Sequence, residues 1–229
     1  MRLFLDIETI PSEDPVVIAS MAAGINAPAN YKNPESIAKW EAENKLAIVE
    51  DQVRKTALDA TYGSICCIGY AWDDEPPTTI SAKNKADESG ALCEFMGDVL
   101  SNVRQIDTRL EVVGHNVQWD LRFIYQRCIV HRVKPPHKLL ACIMAKPWGD
   151  NIRDTMLLWH PDRDRKISLD KLCKVLGVQS PKGEMDGSKV YDAYKAGEWR
   201  EIAAYCSADV EAVRNVFRRL TFIENRGAA

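Results

Sequence analysis

The chain has no CxxC pair and no cluster of cysteine with histidine, although it holds seven cysteines. That excludes a zinc site of the usual ligand spacing, and an odd count fits no complete disulfide framework, so the thiols are expected to be reduced and buried, as in a cytoplasmic protein. Long apolar runs are missing too. No stretch approaches the roughly 20 apolar residues of a membrane-spanning helix, and Met1-Arg2 leads straight into a short apolar segment ending at Asp6, without the apolar core of a secretion signal. A soluble protein with no membrane contact is expected. Nor is there a basic excess: 30 Lys and Arg stand against 33 Asp and Glu, for a net charge of −3. A broad cationic field that would hold nucleic acid at long range is therefore excluded, and any phosphate contact has to be local. Internal repeats are absent, which excludes a solenoid or propeller.

What remains is a 229-residue chain with 46% hydrophobic residues, enough for one full core, and residues 1–229 are expected to form a single domain. Residues 2–7 read as a short buried strand, halted by Thr9-Ile10-Pro11. Residues 11–62 read as an insertion after it, irregular until Asn33-Pro34-Glu35, where an Asn cap and a first-position Pro open a helix toward Leu58. Residues 64–72 and 78–82 read as two antiparallel strands joined across Pro76-Pro77. A helix over 87–105 carries Leu92, Phe95, Met96, Val99, Leu100 and Val103 as a core stripe. A strand at 110–114 and an amphipathic helix at 119–132 follow. Beyond Pro135-Pro136 come a helical piece at 138–145, a short strand near Ile152, a helix opened by Asp154-Thr155, and another closing at Gly177. After a Gly-containing loop at 182–188, a last long helix spans 198–223. This order predicts an α/β fold, a mixed five-stranded sheet flanked by helices, with a helical insertion after the first strand.

Four acidic residues stand at the ends of these elements: Asp6 and Glu8 after the first strand, Asp120 in the first turn of a helix, and Asp209 in the last helix. Two apart on an extended chain, Asp6 and Glu8 share a face. Tyr205 lies one helical turn before Asp209 and shares its face. Several hard oxygen ligands converging from different elements suit a pair of divalent cations such as Mg²⁺ or Mn²⁺, which clamp a phosphate during in-line attack. Each piece alone also has an ordinary reading. Asp-x-Glu is a common solvated strand end, Asp120 suits the helix dipole without any function, and Tyr205 is a plausible packing residue. The ordered set carries the functional reading.

That set resembles the DEDDy branch of the DnaQ-like 3′-to-5′ exonucleases, which share the ribonuclease H-like fold. The likeness is to stand-alone exonucleases, often carried by phages, that are related to the proofreading domain of family B DNA polymerases. It rests on Phe4-Leu5-Asp6-Ile7-Glu8-Thr9-Ile10-Pro11, residues 63–69, Gly114-His115-Asn116, residues 185–190 and Tyr205-Cys206-x-x-Asp209-Val210. Trp119 stands where that group more often has Phe or Tyr. The resemblance implies two bound divalent metals, with Asp6 bridging both, Glu8 and Asp209 holding the one that activates water, and Asp120 supporting the other. It implies that Tyr205 orients the attacking water, that the backbone of Ile7, Thr9 and Ile10 meets the terminal nucleotide, and that Asn116 approaches the phosphate.

Other expectations come from the residues themselves. His115 is expected to make a structural bond rather than serve as the base. Trp119, Trp148 and Trp159 offer faces for base stacking, although most of six tryptophans belong in a core. Lys182 and Lys189 flank a loop that would close over a substrate strand, while Arg163, Arg165 and Lys166 read first as a solvated mixed-charge loop. The expected substrate is a single-stranded or frayed DNA 3′ end, with a polymerase or recombination partner acting in trans. An exoribonuclease and a non-catalytic nuclease-derived binding module stay open.

Overall fold

Leu3, Phe4, Leu5, Ile7 and Ile10 of the first strand, β1 (Arg2–Ile10), are all buried, so the strand is apolar on both faces as a central position requires. The computed structural model describes residues 1–104, 109–146, 149–161, 165–181, 183 and 185–223. The other strands are β2 (Ser64–Trp72), β3 (Thr78–Ser81), β4 (Glu111–Gly114) and β5 (Ile152–Asp154), and the sheet order is β3-β2-β1-β4-β5. β2 and β3 are antiparallel, whereas β1 with β4 and β4 with β5 are parallel. The mixed five-stranded sheet is as expected. β1 runs three residues further than the sequence suggests, because Thr9 and Ile10 remain extended before Pro11.

The helices are α1 (Pro15–Gly24), α2 (Pro34–Lys55), α3 (Asp87–Asn102), α4 (Val117–His131), α5 (His137–Ile143), α6 (Thr155–Trp159), α7 (Leu169–Leu176), α8 (Val190–Ala196) and α9 (Trp199–Leu220). By its contacts the chain divides into two compact units, Met1–Glu8 with Ile65–Ala229, and Thr9–Ser64. In the first unit α9 buries Val210, Val213 and Phe217 against Phe4, Ala71 and Val113 on one sheet face. Tyr70, next to Ala71 on β2, points to the other face, where its ring meets Phe95 of α3 at 5.2 Å. The sheet is thus covered on both sides. α7 continues the α9 layer, with Leu172 and Cys173 on Ala212 and Val216.

Behind the sheet Glu88 is wholly buried and satisfied: it accepts from the Ile65 amide at 2.8 Å and from Arg127 Nε and Nη2 at 2.8 and 2.7 Å, and it meets His131 Nε2 at 2.7 Å. The pair ties α3 to α4 and to the start of β2. Leu100 departs from the expected core stripe. It is exposed because the last turn of α3 has only Val99 and Val103 facing inward.

In the second unit Asp14 and Asn33 cap α1 and α2 by accepting from Val16 N and Glu35 N. Thr9 Oγ1 donates to the Ala57 carbonyl at 2.7 Å, and the Ser12 amide donates to Thr56 Oγ1. α2 forms where the Asn33-Pro34 signal places it. α1 has no counterpart in the sequence reading; its Ala-rich run carries no amphipathic period, and none of its residues is fully buried.

Candidate active site

Asp6 and Glu8 leave β1 on one face, and the chain brings α9 to them through a close contact at Gly69. A Cβ at Gly69 would stand 2.6 Å from Cys206 Sγ and 3.1 Å from the Cys206 carbonyl, so only glycine lets the helix lie this near β2. A second close approach occurs at Gly114, where a Cβ would meet Val117 at 2.6 Å and the Leu5 carbonyl at 2.9 Å. That contact packs the start of α4 against β1. From there Asp120, 5% exposed, accepts a hydrogen bond from the Ile7 amide.

Asp6, Tyr205 and Asp209 line one cavity of about 170 Å³, with His115, Leu169 and Pro181 among the residues across it. Ligand atoms of Asp6, Glu8 and Cys206 lie within 4.8 Å of one another. Asp120 does not line this cavity, but its charge acts on Asp6 and Glu8. A larger hollow of about 720 Å³, lined by Leu176, Val178, Asn215 and Arg218 among others, contains no carboxylate and offers no such chemistry.

Burial, then the charges of Glu8, Asp209 and Asp120, push the Asp6 carboxyl well above its ordinary value. Glu8 rises for the same reasons, burial first and Asp209 next. Asp120 rises through burial and the charge of Asp154, against the opposing bonds from its own amide and that of Ile7. Such a cluster is costly to ionise without cations. Its donors are mainly hard carboxylate oxygens, which fit Mg²⁺ or Mn²⁺ better than soft metals. The Cys206 thiol is the one soft atom. Its hydrogen bond to Cys67 and its burial push it up, so it stays a thiol, and its sulfur lies 3.8 Å from both Asp6 Oδ2 and the Asp6 carbonyl, within reach of its one hydrogen as alternative acceptors to Cys67.

The Tyr205 phenol is pushed far above its ordinary value by burial, then by the charges of Asp209 and Glu8 and its hydrogen bond to Asp209. It stays a hydroxyl at any working pH. His115 is bonded at both ring nitrogens, Nδ1 to Thr155 Oγ1 at 2.9 Å and Nε2 to the Ile167 carbonyl at 2.8 Å. Both ring nitrogens are thus engaged within the fold, matching the structural bond expected of it.

The remaining candidates are more scattered. Ile7 and Ile10 have buried side chains, so only their backbones are available, and Thr9 is engaged with Ala57. Asn116 is exposed at φ 63°, with its amide held by Asp154 Oδ1 at 2.9 Å. Trp119 is half-buried on Phe123, and Trp159 packs in the α7–α9 cluster. Lys189 is exposed at the start of α8, and Arg165 and Lys166 are exposed ahead of α7. Lys182, Trp148 and Arg163 lie outside the described residues. Sequence reasoning missed Asp154, Cys206 and Cys67, because what singles them out is proximity across the fold.

A mixed five-stranded sheet with helices on both faces, with clustered carboxylates on its central strand, is consistent with the ribonuclease H-like exonuclease fold. The chain belongs to a family described as "Predicted 3'-5' exonuclease related to the exonuclease domain of PolB", whose model matches residues 63–227. The match thus includes Asp120, Tyr205 and Asp209 and begins after Asp6 and Glu8. No curated protein matches the chain.

Proposed function

We propose that residues 1–229 act as one exonuclease domain, with residues 11–62 as an insertion, which removes nucleotides from the 3′-OH ends of single-stranded or frayed DNA and releases nucleoside 5′-monophosphates. The reading rests above all on the cavity that Asp6, Tyr205 and Asp209 share, although 200 residues separate Asp6 from Cys206 beside it. Asp6, Glu8, Asp120 and Asp209 are the residues that would hold two divalent cations. Cations there supply charge neutralisation on the phosphate and lower the pKa of bound water. Tyr205, as a neutral hydroxyl turned toward Asp209, orients the attacking water. Cys206 holds Asp6 in its rotamer, and the Ile7 amide does the same for Asp120. The backbones of Ile7, Thr9 and Ile10 would meet the terminal nucleotide and Asn116 the scissile phosphate, with Trp119, Lys182 and Lys189 guiding the strand. A polymerase or recombination partner acting in trans is part of the same proposal.

The site needs a free 3′-hydroxyl, since a 3′-phosphate would press added negative charge against these carboxylates. A paired end must also fray first, at a few kcal/mol, so mismatched ends are cut faster. Oligonucleotides with a 5′ label and a 3′-OH, 3′-phosphate or mismatched 3′ end, a matched RNA and a circular single strand are compared in Mg²⁺ and in EDTA. A Mg²⁺-dependent descending ladder on 3′-OH DNA is the expected result. Equal rates on all ends, or cleavage of the circle, would sink the exonuclease reading, and a ladder on RNA alone would make the enzyme an exoribonuclease.

A further inference from the structure

The Ile167 carbonyl can only accept, so the Nε2 of His115 facing it at 2.8 Å carries a hydrogen. Burial lowers the imidazole from its ordinary value and keeps the ring neutral, so Nδ1 carries no hydrogen and accepts at 2.9 Å from the Thr155 hydroxyl, whose oxygen also lies 3.1 Å from the Gly114 carbonyl. Neither nitrogen is free to move a proton during a reaction. The ring instead joins two parts of the cavity. On one side stand the ends of β4 and β5, cross-tied by Asp154, which accepts from the Asn116 and Met156 amides at 2.9 Å. On the other is the segment entering α7, where Ser168, Leu169 and Asp170 line the cavity opposite Asp6, Tyr205 and Asp209.

That segment has other supports. Leu169 packs on the cluster of Phe4, Val113 and Val210, and Ser180 Oγ donates to Asp170 at 2.6 Å, drawing Pro181 onto the same cavity. The His115 hydrogen bond runs from this wall to the end of β4 beside the carboxylates, and the packing of Leu169 on Phe4 and Val113 adds an apolar tie to the same strands. We propose that His115 is a positioning residue of the nuclease site: its Nε2–H bond to the Ile167 carbonyl fixes the wall at residues 168–170, and so the breadth of the space in which the terminal nucleotide is aligned. The inference rests on the exonuclease reading above.

Three variants separate this from a proton-transfer role and from general packing. His115→Gln keeps a donor near the Nε2 position, His115→Asn keeps one only near Nδ1, and His115→Ala keeps neither. On a 3′-OH single strand in Mg²⁺, His115→Ala and His115→Asn should raise KM about tenfold while kcat falls no more than about threefold, and His115→Gln should stay near wild type in both. Hydrogen exchange at the α7 amides, measured without substrate, should quicken in the Ala and Asn variants and not in Gln. Gln behaving like Asn, or His115→Ala lowering kcat at constant KM, would overturn the proposal. A wild-type protein inactive on every 3′ end would sink the exonuclease reading instead, and the exchange pattern would still report whether His115 holds the wall.

Discussion

The proton that Tyr205 keeps decides its chemistry. A phenol held above its ordinary value by burial and by Asp209 cannot serve as a base near neutral pH, so on the proposed function its contribution would be direction rather than proton removal. Tyr205→Phe deletes one oxygen from the cavity and nothing from the carboxylate cluster. Turnover should fall by roughly 10²–10⁴, or by less if bound cations dominate, while binding of a 3′-OH strand is largely retained. Single-turnover rates alongside a binding isotherm check both halves. A fully active Tyr205→Phe would remove the tyrosine from the mechanism. Cys206, one residue on, packs under Asp6 instead, so neighbouring residues on α9 serve the site by position and by support.

At the level of elements, β1, α4 and α9 carry the proposed ligands Asp6, Glu8, Asp120 and Asp209, and the other elements hold them. The α3–α4 tie through Glu88 and Arg127 lies away from the cavity, and removing the carboxylate would take from the buried Arg127 guanidinium its counter-charge and from the Ile65 amide its acceptor. Glu88→Ala should cost about 3–5 kcal/mol in denaturant unfolding, and purified folded protein should keep near-normal kcat. A change below about 1 kcal/mol would show that Arg127 finds water or another acceptor. Much of this arrangement was legible in the sequence. β2 was readable to the residue because a largely apolar run from Ile65 to Trp72 follows Gly63 and stops at Asp73, and the end of α7 because Gly177 closes it. α8 was not, since seven residues behind a Lys189 cap carry too short a period. The carboxylates could be picked out by residue type and order along the chain, although Asp6 and Glu8 lie within β1 and Asp209 lies midway along α9 rather than at element ends. The supporting bonds from Cys206, Asp154 and His115 depend on which elements become neighbours, and no local pattern encodes that.

For the whole molecule, the raised carboxyls make stability a function of proton and cation supply. Asp6, Glu8 and Asp120 bind protons more tightly folded than unfolded, so their contribution is fully present below the ordinary carboxylate range and is lost as pH rises through the higher folded values. In EDTA the melting temperature should therefore fall between pH 5 and pH 8, after allowance for the rest of the chain by comparison with Asp6→Asn. That variant should melt at or above wild type at pH 8 in EDTA. Mg²⁺ at 100 times its Kd should restore about 2.7 kcal/mol to the wild type and less to the variant. A wild-type melting temperature that climbs with pH relative to Asp6→Asn would contradict the coupling. The separation of β1 from α9 along the chain also has a consequence in time. During synthesis, at about 5–20 residues per second, Asp6 and Glu8 emerge first and then wait many seconds for the helix that completes their site. On the proposed reading a ribosome-bound chain lacks Tyr205 and Asp209 until α9 emerges, and until then the Phe4 face of β1 has no α9 layer to cover it.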